Sequence, residues 1–146
     1  MPSGNVLRRV LVKPTIYPAT VAAATATNGI VIDRRGFEQA VVVLVLGTMV
    51  GAHTIDVKIQ QGDLSNGSDQ TDIPGAVFPQ KANTASTMLW VGTLDLRKYK
   101  RYIRAVSTTA GTVTSSPISV FFILSDRNYT MLDTELDDAS APAFNV

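Results

Sequence analysis

The feature that most constrains the fold of this chain is the spacing of its turn residues. Gly, Pro, Asn and Asp interrupt the sequence about every ten residues, and no segment keeps a helical 3.6-residue period over about twelve positions. Alternating patterns and short apolar runs fill the segments between the turns. This spacing predicts an all-β protein: a single antiparallel β-sandwich of the jelly-roll or immunoglobulin-like kind, with extended N- and C-terminal arms.

Two predicted strands are apolar at every position instead of every second one. They are the runs at residues 41–46 and 120–124. A two-layer sandwich covers only one face of each sheet, so a loop, an arm or another subunit must cover the second face of these strands. Residues 53–61 instead alternate between apolar and polar side chains, which predicts a strand with one face in water.

The length of 146 residues fits one domain with a core that needs no metal or disulfide. We expect residues 1–19 to form an N-terminal arm and first strand, residues 20–124 the sandwich domain, and residues 125–146 an acidic C-terminal arm. The chain has no cysteine, which excludes a disulfide scaffold, a thiolate metal site and a cysteine nucleophile. We also expect no secretory signal and no membrane-spanning helix.

Local turn signals add two expectations about strand ends. Asn28 and Gly29 form the strongest short hairpin signal, which predicts a hairpin joining residues 20–27 to residues 30–33. Residues 95–100 are too few for a helix of ordinary length and predict a turn or one helical turn before the next strand.

The chain offers few residues for catalysis or ligand binding. His53 is the only histidine, and no G-x-S-x-G or H-E-x-x-H motif supplies partners, so we expect a strand-entry histidine and no enzyme, metal site or cofactor. The loop at residues 63–72 carries oxygen ligands that calcium could use but lacks the EF-hand order, which leaves a calcium site or a solvated loop. Trp90 could stack a sugar, although burial in the core is the favoured interpretation.

Charge is nearly balanced overall but unevenly distributed. Thirteen basic and twelve acidic residues give a net charge of +1, which is no footprint of a nucleic-acid-binding protein. Residues 97–104 do mix Lys and Arg with two tyrosines, as single-strand binders do, although a solvated strand face is the favoured interpretation. The basic first quarter and acidic tail favour head-to-tail contact between subunits or a basic arm on an acidic shell, with solvated termini as the alternative.

Three stretches carry a resemblance to a known family. Residues 30–39 read IVIDRRGFEQ and lead into the apolar run at residues 41–46; residues 57–61 read VKIQQ and precede an Asp/Asn/Ser/Gly loop; residues 99–106 read YKRYIRAV. This order of charged turn, apolar strand, Lys-Ile-Gln strand and later basic strand resembles the small all-β head proteins of tailed bacteriophages.

The resemblance implies a structural virion protein that decorates or cements the outer capsid surface and is made in the host cytoplasm. Its implied partners are the major capsid protein and itself, as a homotrimer, with no nucleic acid and no membrane. The alternative is a head-fibre or sugar- or surface-binding β-sandwich module. The residues expected to contact the capsid are Arg8, Arg9, Lys13, Arg34 and Arg35. Those expected in self-association are Val41, Val43, Val45, Phe121, Ile123, Asp133 and Glu135.

Overall fold

The structure is a computed structural model that describes residues 10–82, 87–126 and 144–146. These residues form β-strands and one short 3₁₀ helix, Leu96–Lys98. None of the helical structure in the described part is long and apolar enough to cross a membrane. In chain order the strands are β1 (Val10–Val21), β2 (Ala26–Asn28), β3 (Ile32–Asp33), β4 (Gln39–Leu46), β5 (His53–Gly62), β6 (Thr71–Ala82), β7 (Met88–Asp95), β8 (Tyr102–Gly111), β9 (Ser116–Ser125) and β10 (Phe144–Asn145).

The strands build two sheets that pack face to face. The first sheet has the order β1-β9-β4-β7-β10, and the second has the order β2-β8-β5-β6, with β3 also paired to β8. Every pairing is antiparallel except that of β10 with β7. The predicted antiparallel sandwich is therefore confirmed, as is the single helical turn before β8.

The core lies between the sheets and follows the two-residue period of the strands. In β5 the buried and half-exposed residues alternate strictly from His53 to Gln60, which confirms a strand with one wet face. In β4 and β9 alternate residues also enter the core, but the residues between them are apolar as well. Fully buried side chains from both sheets include Val42, Leu46, Ile55, Ile59, Phe78, Ile103, Phe122 and Leu124.

The first strand, which the sequence placed within residues 1–19, belongs to the first sheet. β1 starts at Val10 and pairs with β9 as far as Val21. The strand runs through Pro14 and Pro18 because β1 is an edge strand, where a missing N–H need not interrupt a ladder. Its pairing register shifts on both sides of Ile16.

The hairpin predicted at Asn28 and Gly29 is wrong. β2 and β3 do not pair with each other; both pair with β8, at Asn28↔Val106 and Ile32↔Ile103. Gly29 is required here for close packing, because an added Cβ would overlap the backbone of Thr15 and the carbonyl of Ala105. The same dipeptide that favours a tight turn also permits this close approach of two backbones.

The last three residues, which the sequence assigned to the C-terminal arm, lie against β7. Phe144 and Asn145 pair with Gly92 and Thr93 of β7, and the Phe144 ring is 7% exposed within the core. Gly92 makes this possible, since an added Cβ there would overlap the Phe144 ring. The expected self-association residues Asp133 and Glu135 lie outside the described residues.

Candidate association surface

The outer face of the first sheet is apolar across three neighbouring strands. Val43 of β4 lies between Phe121 of β9 and Val91 of β7 in the pairing register. These side chains form a second hydrophobic cluster on the side of the sheet away from the core. The apolar outer face, as we use the term, comprises Val12, Val41, Val43, Val45, Leu89, Val91, Phe121 and Ile123.

Five of the residues expected in self-association meet on this face. Val41 pairs with Ile123, Val43 with Phe121, and Val45 follows two positions along the same strand. The sequence therefore identified a real surface from its two doubly apolar strands. What the surface contacts is a separate question, because pairing within one sheet does not identify a partner.

Exposure varies strongly across the apolar outer face. Val43 and Val91, in its middle, are 3% and 5% exposed. Val45, toward the end of the sandwich where β9 begins, which we call the upper end, is 37% exposed, and Val12 on the edge strand is 55% exposed. The middle of the face is thus shielded from water, whereas its upper end and its β1 edge are open.

A shallow apolar concavity of about 570 Å³ adjoins the exposed Val45. Residues from the end of β1 and from the start of β9 form its walls, including Pro18 and Pro117. Gly47 packs against Pro117, where an added Cβ would come within 2.9 Å of the proline ring. This concavity and Val45 together make the upper end of the face the part available to another molecule.

The outer face of the second sheet is polar instead. The Lys58 Nζ lies 2.7 Å from a carboxylate oxygen of Asp72, and Gln60 donates to the other oxygen of Asp72 at 2.8 Å. Arg104 Nε donates to Gln60 Oε1 at 2.9 Å. Because these pairs are exposed to solvent, they contribute little to stability. They nevertheless make the outer face of the second sheet polar. The two outer faces of the sandwich are chemically different.

Three of the residues expected to contact a capsid lie within the described residues. Arg34 and Arg35 lie in the turn after β3, at the end of the sandwich where β7 and β9 finish, which we call the lower end. Arg34 is a structural residue, since its guanidinium donates to the backbone carbonyls of Tyr99 and Lys100. Lys13 is exposed on β1. Arg8 and Arg9 lie outside the described residues.

Aspartate side chains form ion pairs with two basic residues of the cluster at residues 97–104. Arg101 makes a bidentate pair with Asp33, with the shorter N–O distance at 2.7 Å, and Lys100 pairs with Asp63 at 2.7 Å. The Arg101 side-chain hydrogen bond is the main cause that lowers the pKa of Asp33. These ion pairs neutralise part of the positive charge that the protein would need in order to bind a nucleic-acid backbone.

Asp95 and Arg97 form another ion pair at the lower end of the sandwich. Its carboxylate accepts two hydrogen bonds from the Arg97 guanidinium, each 2.8 Å long, and one from the Arg97 backbone N–H. The pKa of Asp95 is lowered to about 2, mainly by the side-chain hydrogen bonds from Arg97. Asp95 thereby caps the 3₁₀ helix that carries the chain toward β8.

The two other candidate sites have structural roles in the described residues. In the loop after β5, Asp69 accepts the backbone N–H groups of Asp63 and Leu64 at 2.7 and 3.1 Å, which lowers its pKa. No group of three His, Cys, Asp or Glu side chains within residues 10–82, 87–126 and 144–146 has metal-binding geometry. His53 is the buried first residue of β5, with Nδ1 at 3.2 Å from the Gly51 carbonyl.

Trp90 packs against the core, as the sequence favoured. Its ring lies 6.3 Å from that of Phe78 in a stacked arrangement, and Lys81 Nζ sits 4.1 Å from its ring centroid. Sequence reasoning missed the neighbouring position of Phe144, which packs edge-on to Phe78 at 4.8 Å. The sequence did hold one signal for this contact. Gly92 lies between Trp90 and Leu94 on the core-facing side of β7, and a glycine there leaves space for a side chain from another segment.

No family model and no curated protein matches this chain. Among solved structures, the PBSX exported protein XepA matches 90% of the chain with a TM-score of 0.57 and 15% identity. The match spans 41% of that protein's length. A Bacillus endospore appendage protein (TM-score 0.45, 13% identity, 81% of this chain and 88% of that one) and the VP2 subviral particle of infectious bursal disease virus (0.49, 14%, 83% and 34%) are more distant. The XepA likeness concerns the fold alone, and nothing is drawn from the other two.

Proposed function

We propose that this chain is a structural protein of a tailed-phage virion that decorates or cements the outer capsid surface, where it binds the major capsid protein and further copies of itself. The observation that carries the proposal is the apolar outer face, which remains open around Val45 while the opposite face of the sandwich is polar. Such one-sided apolar exposure is typical of association surfaces.

The sequence resemblance and the fold support the same function. The phage head proteins that the sequence resembles are small and all-β, and this chain is a β-sandwich. Function rests on the surface and not on the fold, because one sandwich architecture serves many activities.

The rival function, sugar binding by a fibre-like module, has less support. Trp90 is the aromatic residue best suited to stack a sugar ring, but Phe78 and Lys81 engage it. Binding to a glycan array would favour that rival.

Shell binding is tested by sedimenting the protein with assembled shells of the cognate phage and, separately, with unassembled capsid subunits. A cement protein stabilises the shell by binding the assembled form preferentially, by about 2.7 kcal/mol per site at a hundredfold excess over Kd. Decorated shells should therefore rupture at a higher temperature than bare shells. Equal binding to free subunits, or no binding to shells, would contradict the proposal.

The shell-contact residues are tested with a charge-matched pair of variants. Lys13→Gln with Arg35→Gln removes two exposed positive charges, and Thr25→Glu with Thr112→Glu changes the net charge equally at exposed positions next to β2 and β8 of the second sheet. We expect only the first variant to lose shell occupancy and salt dependence. Equal loss in both variants would show that net charge, and not these residues, governs binding.

Self-association is tested at Val45. Light scattering of the parent protein should give about three times the 15.6 kDa chain mass, as expected for a closed cyclic trimer. Val45→Lys should shift the protein to monomer. Val77→Lys, on the second sheet and 47% exposed, is the matched control and should leave the trimer intact. A parent protein that is monomeric both alone and on shells would refute this part of the proposal.

A further inference from the structure

The sequence contains two Asn-Gly dipeptides, Asn28-Gly29 and Asn66-Gly67. An asparagine before glycine loses its side-chain amide most readily, because glycine has no side chain to hinder attack of its backbone nitrogen on the asparagine Cγ. Both asparagines are exposed to solvent. Exposure therefore does not distinguish the two positions, and the backbone around each asparagine determines whether this attack can occur.

Asn28 is held in the second sheet. It pairs with Val106 of β8, and the Gly29 N–H donates to the Ala105 carbonyl at 2.8 Å. The backbone encloses Gly29 as well, since an added Cβ would lie 2.7 Å from the Ala105 oxygen and 2.8 Å from the Thr15 oxygen. Attack of the Gly29 nitrogen on Asn28 would have to rotate their peptide group out of this arrangement, so the sheet opposes the reaction.

Asn66 lies instead in the exposed turn between β5 and β6. The Ser68 backbone N–H donates to its side-chain Oδ1 at 3.0 Å. Attack on Cγ places negative charge on that same oxygen, so the Ser68 N–H is positioned to stabilise the charge as it develops. The Gly67 N–H donates to the Leu64 carbonyl at 3.1 Å, and this hydrogen bond within the turn can open without separating two strands.

A positive charge lies beside the attacking nitrogen. Gly67 has a φ of +72°, and a Cβ added there would be 3.3 Å from Nη1 of Arg104. Arg104 Nε donates to Gln60 Oε1 at 2.9 Å, which holds the guanidinium next to the turn. A nearby cation favours the deprotonated form of the Gly67 amide, and that form is the nucleophile.

We propose that Asn66 is a site of spontaneous deamidation in the folded protein and that Asn28 is protected. The Gly67 nitrogen forms a bond to Cγ of Asn66 and gives up its proton, while the side-chain nitrogen takes up that proton and leaves as ammonia. The product is a succinimide ring. Water then opens the ring at one of its two carbonyls: opening at Cγ gives aspartate, and opening at the backbone carbonyl gives isoaspartate, whose backbone is longer by a methylene group.

Either product changes the charge of the turn at the lower end of the sandwich. It adds a carboxylate between Asp63 and Asp69 and removes the net charge of +1 that the chain carries. Isoaspartate also lengthens the turn in which Asp69 accepts the backbone N–H groups of Asp63 and Leu64. The lower end therefore becomes more acidic as the protein ages. The inference does not depend on the proposed binding to a shell.

Peptide mapping by mass spectrometry tests the proposal. Trypsin releases Asn66 within residues 59–81 and Asn28 within residues 10–34, and neither peptide contains another asparagine. After incubation of the folded chain at mildly alkaline pH, the first peptide should gain about 1 Da and separate into aspartate and isoaspartate forms. We expect this at least about tenfold faster than any change in the second peptide, because only Asn28 must leave a sheet before it reacts. In urea the two rates should be similar.

Substitutions test the contribution of the cation. Arg104→Gln should slow the reaction at Asn66 by about threefold or more, since it removes the charge beside the Gly67 nitrogen. Lys58→Gln is the matched control, because it removes the same charge from the same face at a side chain that pairs with Asp72, and it should leave the rate unchanged. Equal rates in these two variants would refute the role of Arg104. Equal rates at Asn66 and Asn28 in the folded chain, or reaction of Asn66 only after unfolding, would overturn the proposal.

Discussion

Removal of the last three residues tests whether the C-terminus belongs to the core. Phe144 is 7% exposed, packs edge-on to Phe78 and lies directly on Gly92. Val146 donates to the Thr93 carbonyl at 3.0 Å and accepts from the backbone N–H of Asp95. Deletion of residues 144–146 therefore removes a buried ring and at least these two backbone hydrogen bonds.

The expected loss is small because docking and ordering nearly cancel. Burial of the ring contributes about 3 kcal/mol, its aromatic contact about 1 kcal/mol, and the two hydrogen bonds about 1 kcal/mol each. Ordering three residues costs about 4.5 kcal/mol. The deletion should thus lower the free energy of unfolding by about 1–2 kcal/mol, which corresponds to a fall of about 3–7 °C in Tm for a domain of this size.

Calorimetry or thermal denaturation followed by circular dichroism measures this change. Phe144→Ala should lower Tm by no more than the full deletion does, because undocking of the three residues limits the loss. Asn145→Ala is the matched control and should have no effect, since that side chain is exposed.

A double-mutant cycle separates docking at Gly92 from a general effect of the tail. Gly92→Ala should destabilise the full chain, because its methyl group displaces the Phe144 ring. In the chain that lacks residues 144–146 the same substitution should be neutral or slightly stabilising, since Ala is the less flexible residue in the unfolded state. If Gly92→Ala costs the same in both backgrounds, or if the deletion changes Tm by less than about 1 °C, residues 144–146 do not dock on β7.

Two further predictions concern the lower end of the sandwich. Arg34→Ala should cost about 1–2 kcal/mol, since the guanidinium holds two backbone carbonyls that precede β8, whereas Arg35→Ala at the neighbouring exposed position should cost almost nothing; equal effects in urea titrations would contradict this role. The lowered pKa of Asp95 means that its ionised form is favoured by folding, so its contribution is present above its unfolded pKa near 3.8 and is lost as the pH falls toward about 2. Asp95→Asn should therefore flatten the dependence of Tm on pH in that window, and an unchanged slope would show that its pair with Arg97 does not stabilise the fold.

The charged surface illustrates what sequence could and could not determine about candidate sites. The density of Lys, Arg and Tyr at residues 97–104 was visible, but their partners were not. Arg101 pairs with Asp33, 68 positions away, and Lys100 with Asp63. Such pairs depend on how β3, β5 and β8 come together, so the sequence alone left the cluster open to a nucleic-acid interpretation.

Sequence by itself determined the all-β class and the two-sided apolar strands. Both follow from local periodicity, because the side chains of a strand alternate between faces whatever the strand pairs with. The apolar runs at residues 41–46 and 120–124 therefore predicted that Val43 and Phe121 would share a second apolar surface.

Only the tertiary structure decided which strands pair and where the chain ends. β2 and β3 pair with β8, about seventy to eighty residues away, and not with each other. The C-terminal Phe144 enters the core because Gly92, fifty-two positions earlier, leaves room for its ring. These arrangements depend on shape and hydrogen bonding between segments distant in sequence, and turn propensity and local composition carry no information about such contacts.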